Sequence, residues 1–421
     1  MKKNVLIIGA GGVGQVVAHK CAQHNLQLGD IHIASRTIRK CLALIDGIHE
    51  KGVLQNPKGV LKAHTLDAMD TAATRKLIEQ TGAQIVINVG HAFVNMPVLE
   101  ACIQTGAAYI DTAIHEDPGA ICETPPWYAN HEWKRKARCA EHGVTAVLGC
   151  GFDPGVVNAY AALAVQEFFD SVDSIDIIDV NAGSHGRYFA TNFNPEINFR
   201  EFTGQAWTWQ NRQWVSNKMF EVQRSDDLPV VGHQTTYLTG HDELHSLSQH
   251  LDVPTIRFWM GFGEHYINVF NVLRNLGLLS EKPVRLDDGR AVVPLQLVKA
   301  VLPDPASLAP GYVGKTCIGN VVKGIKNGQP REIFIYNVCD HVEAFAEVGS
   351  QAISYTAGVP AAAAALLIAN GAWDVGRMAN VEELPCKPFI ELLNQMGLPT
   401  HVREAGQDGE DALLQFEEQT A

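Results

Sequence analysis

The sequence predicts an α/β fold: a doubly wound parallel sheet of the Rossmann type, joined to a second α+β domain with a mixed or antiparallel sheet. Three features predict it. Over the first 150 residues, short apolar runs alternate with amphipathic stretches. A G-x-G-x-x-G lies between the first run and the first helix. The alternation stops after Gly155, and the 421 residues are too many for one core.

Val5–Ala10 is a near-continuous apolar run, as a parallel strand covered on both faces requires. A helix is predicted over about Gly12–His24. Ile31–Ser35 follows as a second strand, with a helix over 38–48. Residues 59–67 hold a third strand, and a helix runs from about Asp70 to Thr81. Residues 83–90 read as a fourth strand and Val94–Thr105 as the next helix. A fifth strand in 107–113 and a helix through 130–143 lead to a sixth strand in 144–150. Six strands with five intervening helices make the first domain, residues 1–152.

A second domain is expected over 153–350. It holds a strand within 171–185 and a hairpin pairing 319–325 with 331–340. Asn327-Gly328 suits the positive φ values of a two-residue turn there. Residues 203–214 hold three of the seven tryptophans. Core or interface packing accounts for them, or else a wall of the substrate site, where an indole face attracts an ammonium. Residues 343–370 read as helix interrupted near Gly358–Pro360, and the tail after Gln407 is acidic.

Composition removes several classes of function. A net charge of −13 disfavours nucleic acid. The longest apolar run, 358–369, is too short to span a bilayer. No export signal is visible, and nine scattered cysteines without a C-x-x-C suggest neither a disulfide framework nor a zinc ribbon. A cytoplasmic protein is expected, with no nucleic-acid or membrane partner and no metal. "HDELH" (241–245) lacks the Glu directly after the first His that a zinc protease needs.

The phosphate loop carries the clearest chemistry. Gly9 allows the turn, Gly11 lets the backbone approach a pyrophosphate and Gly14 lets the helix pack on the strand. With Gly12 and Val13 they present helix N-terminal amides to phosphates. An NAD enzyme usually ends its second strand with an acidic residue that bonds the ribose 2′-hydroxyl. Ser35, Arg36 and Thr37 stand there instead, and Arg36 suits a 2′-phosphate. NADP(H) is therefore expected. Asp67 is placed for the adenine, Asn88, Val89 and Gly90 for the nicotinamide half, and Thr112 for the same cofactor.

Ligands of such folds bind at the C-terminal ends of the strands. That selects His91, Asp111, Cys150 and Asp153 as candidate catalytic groups. Each has a structural alternative: a satisfied histidine, a loop-bonding or helix-capping Asp111, an inert thiol, and a helix cap at Asp153.

"GAGGVGQVVAHK", "IASRT", "VINVGHAF", "YIDTA", "GCGFDPGVVN" and "SYTAGVPAAAAA" together resemble the saccharopine dehydrogenase family in its broad sense, across the whole chain. The resemblance implies an NADPH-dependent imine reductase acting on CH–NH bonds, a homodimer, and a C-terminal helical segment, 351–421, that returns to the cofactor domain. Length, Ser-Arg-Thr and the Trp-rich middle most resemble the polyamine-forming members. Those condense L-aspartate β-semialdehyde with 1,3-diaminopropane or putrescine to carboxynorspermidine or carboxyspermidine. A saccharopine reductase or another opine-type enzyme is the alternative, and a non-catalytic NADP-binding sensor a further one. His91 stands where saccharopine reductases tend to carry an aromatic hydroxyl.

Overall fold

A computed structural model describes residues 2–118, 124–406 and 411–416. The strands of the first domain are β1 (Asn4–Ile8), β2 (Ile31–Ser35), β3 (Leu61–Thr65), β4 (Ala83–Asn88), β5 (Ala108–Asp111) and β6 (Ala146–Leu148). Helices Gly12–Gln23, Ile38–Lys51, Thr71–Thr81, Asn95–Thr105 and Lys136–Glu141 connect them. The middle of the chain adds β7 (Ser171–Asn181), β8 (Gln205–Gln210), β9 (Gln213–Lys218), β10 (Gln223–Leu228), β11 (Gly232–Thr239) and β12 (Thr255–Gly261). A small ribbon, β13 (Val284–Arg285) and β14 (Ala291–Val292), precedes the long pair β15 (Lys315–Lys326) and β16 (Gln329–Asp340). The C-terminal stretch supplies β17 (Met378–Asn380), β18 (His401–Glu404) and β19 (Ala412–Leu413).

The parallel sheet has seven strands, in the order β17-β6-β5-β4-β1-β2-β3. The seventh, β17, runs parallel to β6 and comes from the far end of the chain. No alternation near it in the sequence announces it. The second sheet is mixed. Its order is β10-β11-β12-β7-β15-β16-β18-β19, with β8 and β9 attached at β12. β12 and β7 are parallel, whereas β15 is antiparallel to both β7 and β16. Asn327 and Gly328 turn the β15–β16 hairpin with φ of 52° and 73°, the left-handed pair that matches strand twist. Residues after 351 are thus more than a helical return, because they add β17 to the parallel sheet and β18 and β19 to the mixed one.

The helical break expected near Gly358–Pro360 lies ten residues earlier. Helix His341–Val348 ends at Gly349, which has φ +71°. Gln351 caps the next helix by accepting from the Ile353 amide. Helix Ala352–Asn370 then runs unbroken through Pro360. By length and composition it is long enough to cross a membrane, but fifteen of its nineteen residues are buried within the protein. Gly358 explains part of that packing: a Cβ there would lie 2.7 Å from the Val16 Cβ on helix Gly12–Gln23. One continuous apolar core joins β1, this helix and β16, so the two sheets share a common interior.

Candidate active site

The phosphate loop is shaped by backbone contact. Gly9 has φ +120°, and a Cβ on it would meet the Val89 carbonyl oxygen at 2.6 Å. A Cβ on Gly14 would stand 2.1 Å from the Gly9 carbonyl oxygen, and one on Gly12 2.5 Å from Ser354 Oγ. At Gly11 a Cβ would meet nothing within 4 Å. Backbone contact therefore forces Gly9 and Gly14, Gly12 packs on the Ser354 side chain, and Gly11 faces the open space a pyrophosphate requires. Among the described residues the loop fits a dinucleotide.

The other expected cofactor contacts fall into two kinds. Ser35 closes its own turn: its hydroxyl accepts from the Thr37 amide at 3.1 Å and donates to the Thr37 carbonyl at 3.0 Å. Arg36 is exposed at the strand end and pairs with no side chain among the described residues, which leaves its guanidinium available. Asp67 accepts from the Met69 amide at 3.2 Å. Asn88 is buried and shapes the turn before Gly90, donating to Asn95 at 2.8 Å and accepting from the Gly90 amide at 3.2 Å. Val13 and Thr112 line a cavity that begins at the phosphate loop.

That cavity, of about 280 Å³, lies between the two sheets. Its walls come from the segment after β5, from Trp127, from Asp153-Pro154, from the second domain and from the start of helix Ala352–Asn370. Of the four candidate catalytic residues only Asp153 lines it. The glycines around Asp153 hold its turn: Gly155 has φ +136°, and a Cβ on it would lie 2.1 Å from the Gly151 carbonyl oxygen. Asn158, not Asp153, caps the following helix, accepting from the Gly155 amide at 2.8 Å. Its amide also donates to the buried Glu382 at 2.8 Å. The "GFDPGVVN" stretch is thus a rigid turn that frees one carboxyl to face the cavity.

The remaining three sit elsewhere. Asp111 is buried behind the wall, accepting from the Gly149 amide at 2.7 Å and from the Tyr109 hydroxyl at 2.9 Å. Burial pushes its carboxyl up to about 7. Cys150 is buried in the core with its thiol 3.6 Å from the Pro360 carbonyl oxygen, and burial pushes the thiol well up. His91 precedes the short turn Ala92–Val94, with its ring 5.1 Å from Phe93. Burial and the charge of Arg36 lower its pKa. This places Arg36 and His91 in one electrostatic field beside the cofactor loop.

Five further groups gather around Asp153. Asp179, on β7, raises the Asp153 pKa well above the ordinary range, after burial. Its own carboxyl is pushed up to about 7 by burial. His241 stacks on Phe258 at 4.1 Å. Its Nδ1 lies 2.5 Å from Glu243 and its Nε2 3.1 Å from Glu201. Both partners are carboxylates, so both ring nitrogens donate and the ring is an imidazolium. Burial opposes that charge, but Glu243 and Glu201 outweigh it and hold the pKa well above 6.5. Asp242 accepts from the Ile114 amide at 2.7 Å, tying the second domain to the β5 segment, and burial lifts it to about 6.

Sequence reasoning missed Asp179, Glu201, His241, Asp242 and Glu243. A signal existed for Asp179. Strand β7 carries three aspartates at intervals of three residues, so Asp176 and Asp179 point to opposite faces. Asp176 is neutralised by Arg257 at 2.6 and 2.8 Å and by the Trp259 indole N–H at 2.8 Å. Asp179 pairs with no arginine among the described residues and faces the cavity. "HDELH" splits between two surroundings because its helix begins only at Leu244. His241 lies among carboxylates, while His245 is sandwiched between Trp127 and Trp214 at 4.2 and 4.7 Å. The tryptophans divide likewise: Trp207 lines the cavity, and Trp209 packs on Trp214 at 5.5 Å.

Two family models cover most of the chain: the saccharopine dehydrogenase NADP binding domain over residues 5–147, and the saccharopine dehydrogenase C-terminal domain over 151–398. The chain belongs to the saccharopine dehydrogenase family. It is an oxidoreductase of that family, and NADP(H) is its cofactor. It is 46% identical over 400 residues to a carboxynorspermidine synthase of Vibrio alginolyticus, covering 95% of this chain and 97% of that one. A carboxynorspermidine synthase of Vibrio cholerae is 45% identical, with 95% and 97% covered. A carboxyaminopropylagmatine dehydrogenase of Synechocystis is 44% identical, with 94% and 96% covered. Saccharopine dehydrogenase (L-Glu forming) of Saccharomyces cerevisiae superposes with a TM-score of 0.70 at 14% identity, over 96% of this chain and 100% of that one. That last likeness establishes the shared fold.

Proposed function

We propose that this protein uses NADPH to reduce the imine formed between L-aspartate β-semialdehyde and a short diamine, 1,3-diaminopropane or putrescine, in polyamine biosynthesis. The supporting observation is the acid-rich cavity. Asp153, Asp179, Glu201 and Asp242 line it, and Arg200 is the only arginine or lysine among its described lining residues. A desolvated ammonium needs such partners. Two ammonium groups fit this charge pattern better than a second amino acid, which would call for further arginines. The names of the two Vibrio relatives point the same way.

Roles follow from position. Gly9, Gly11, Gly12, Val13 and Gly14 hold the pyrophosphate, and Arg36, with Ser35 and Thr37, holds the 2′-phosphate. Asp67 serves the adenine end, and Asn88, Val89, Gly90 and Thr112 the nicotinamide end. When bound, the cofactor supplies the hydride that reduces the iminium carbon. Asp153 and Asp179 share a proton, because two carboxyls this close cannot both ionise cheaply. The pair gives that proton to the carbinolamine hydroxyl, which leaves as water. Glu201 and Asp242 neutralise the distant ammonium, with the face of Trp207 beside it. Arg200 receives the carboxylate of the amino-acid part.

The test is NADPH oxidation with aspartate semialdehyde plus 1,3-diaminopropane, putrescine, agmatine, lysine or glutamate. Turnover with a diamine is expected. Turnover only with lysine or glutamate rejects the reading, and preference for agmatine moves the substrate toward that of the Synechocystis relative. We also propose a cytoplasmic homodimer. Val272, Leu276, Leu297 and Val301 are 52–75% exposed on neighbouring segments of the middle domain, and two-fold dimers are the commonest closed assembly. A monomer by sedimentation at micromolar concentration rejects it.

A further inference from the structure

At the rim of the cavity, two histidines and an aspartate from separate segments converge. His115 and Asp117 follow β5, and His131 lies on the segment that precedes helix Lys136–Glu141. One ligand-type atom from each lies within 4.8 Å of the others. His115 Nε2 is 3.4 Å from one Asp117 carboxylate oxygen, and His131 Nε2 is 3.3 Å from the other.

The tautomer of His115 is fixed by its surroundings. Its Nδ1 lies 3.0 Å from the Ala92 carbonyl oxygen. A carbonyl only accepts, so Nδ1 carries the hydrogen and Nε2 presents a lone pair toward Asp117. A lone pair facing a carboxylate oxygen requires a cation between them, either a second proton or a metal ion. An imidazole N–H donated to a backbone carbonyl is also the arrangement that orients metal-bound histidines.

The spacing leaves room for the larger of the two cations. Around zinc, with bonds of roughly 2.0–2.1 Å to nitrogen and oxygen, neighbouring ligands of a tetrahedron stand 1.63 bond lengths apart, about 3.3–3.4 Å. Each His–Asp distance has that length, but the two run to different Asp117 oxygens, so a tetrahedral ion would take one oxygen and draw the other nitrogen toward it. Direct charge-assisted hydrogen bonds would draw them to about 2.7–2.9 Å. The scaffold is fixed as well. The His115 amide donates to the buried Glu132 at 2.6 Å, and the Asp117 carbonyl accepts from Arg200 at 2.8 Å.

We propose that His115, Asp117 and His131 form a binding site for a divalent cation of the zinc class, which clamps the cavity wall after β5 to the segment bearing His131. His115 and Glu116 both line the cavity, so the ion would brace that wall at its rim, with the reacting groups of the Asp153 cluster elsewhere. The spacing of these residues matches no sequence motif, which is why the sequence suggests no metal.

The test is direct metal binding to the full-length protein. Protein stripped with a chelator and desalted is titrated with ZnCl₂ in a calorimeter and with CoCl₂ in a spectrophotometer. We expect about one equivalent of each per chain, an intense tetrahedral cobalt spectrum, and a metal-dependent rise in melting temperature. His131→Ala and Asp117→Asn should each weaken binding by more than the roughly 10–100-fold that loss of an outer-shell partner costs. Both variants should melt near the stripped wild type, which shows that they fold. The proposal is overturned if the stripped protein takes up less than about a tenth of an equivalent, or if either substitution leaves zinc affinity unchanged. A cobalt spectrum of octahedral type likewise overturns it.

Discussion

The cofactor loop and the substrate cavity are adjacent but built on different principles. The loop's own residues are neighbours in sequence. Gly9 and Gly14 are fixed by backbone approach within a few ångström, and Gly12 lies against the Ser354 side chain; the proposed binding groups are backbone amides. The cavity is made by side chains from distant segments: Asp153 from the turn after β6, Asp179 from β7, Glu201 from helix Pro195–Thr203, and His241 from the end of β11. Its charge state is collective, since Glu201 and Glu243 keep His241 protonated while burial keeps Asp153 and Asp179 raised. A local site tolerates almost no substitution at a few positions. A collective one distributes its function over partners that titrate together.

The sharpest way to break this contrast is inside the cavity. Asp153→Asn should lower kcat/KM by about 10²–10⁴-fold, the range of general acid catalysis, with NADPH affinity by fluorescence titration unchanged. Because the proton-donating form is required, wild-type kcat/KM should fall as pH rises through about 7, where Asp179 titrates. A loss of less than about fivefold would move the acid elsewhere.

On the loop side the expected effect is smaller and confined to one cofactor. Arg36→Ala should raise the NADPH KM roughly 10- to 100-fold, the scale of a charged hydrogen bond of about 1.5–3 kcal/mol. NADH kinetics should not move. Equal losses with both cofactors would show that Arg36 acts through the fold.

Asp111 tests the wall between the two regions. Its folded pKa of about 7 stands above its ordinary value of 3.8. The protonated acid is therefore favoured by folding. Its stabilising contribution is complete below about pH 4 and is lost as pH rises to about 7. Asp111→Asn should flatten the melting temperature over that window and leave kcat/KM within about threefold. Asp111→Ala, which strands the Gly149 amide, should cost about 1–3 kcal/mol. A hundredfold loss of turnover in Asp111→Asn would return this residue to the chemistry.

The weakest expected effect is at the surface. Lys40 and Asp304 pair across the domains at 3.2 Å, with side chains 54% and 57% exposed. Lys40→Ala should cost less than about 1 kcal/mol, and less still at high salt.

The same contrast governs what the sequence discloses. Strand–turn–glycine chemistry is local, so Gly9, Gly11, Gly14 and the six-strand alternation are plain in it. The "GFDPG" turn is equally local, and Asp153 is found with it. Asp111 and Cys150 have the same position at strand ends, yet tertiary packing turns both inward; pattern alone cannot separate a strand-end acid that faces a ligand from one that ties down Gly149. Asp179 and Glu201 gain meaning only when β7 and helix Pro195–Thr203 meet. β17 escapes notice because three residues pairing with β6 need no periodicity of their own.

That last strand also bears on how the chain is made. β6 is laid down by residue 148, and the partner that covers its outer edge spans residues 378–380. More than two hundred residues separate β6 from the strand that covers it, so until that strand is made β6 is an edge. An open flank offers amides and carbonyls to any passing strand. Completion of the nucleotide-binding half therefore waits on residues 378–380, and a fragment ending before Met378 should aggregate through β6 where the full chain does not.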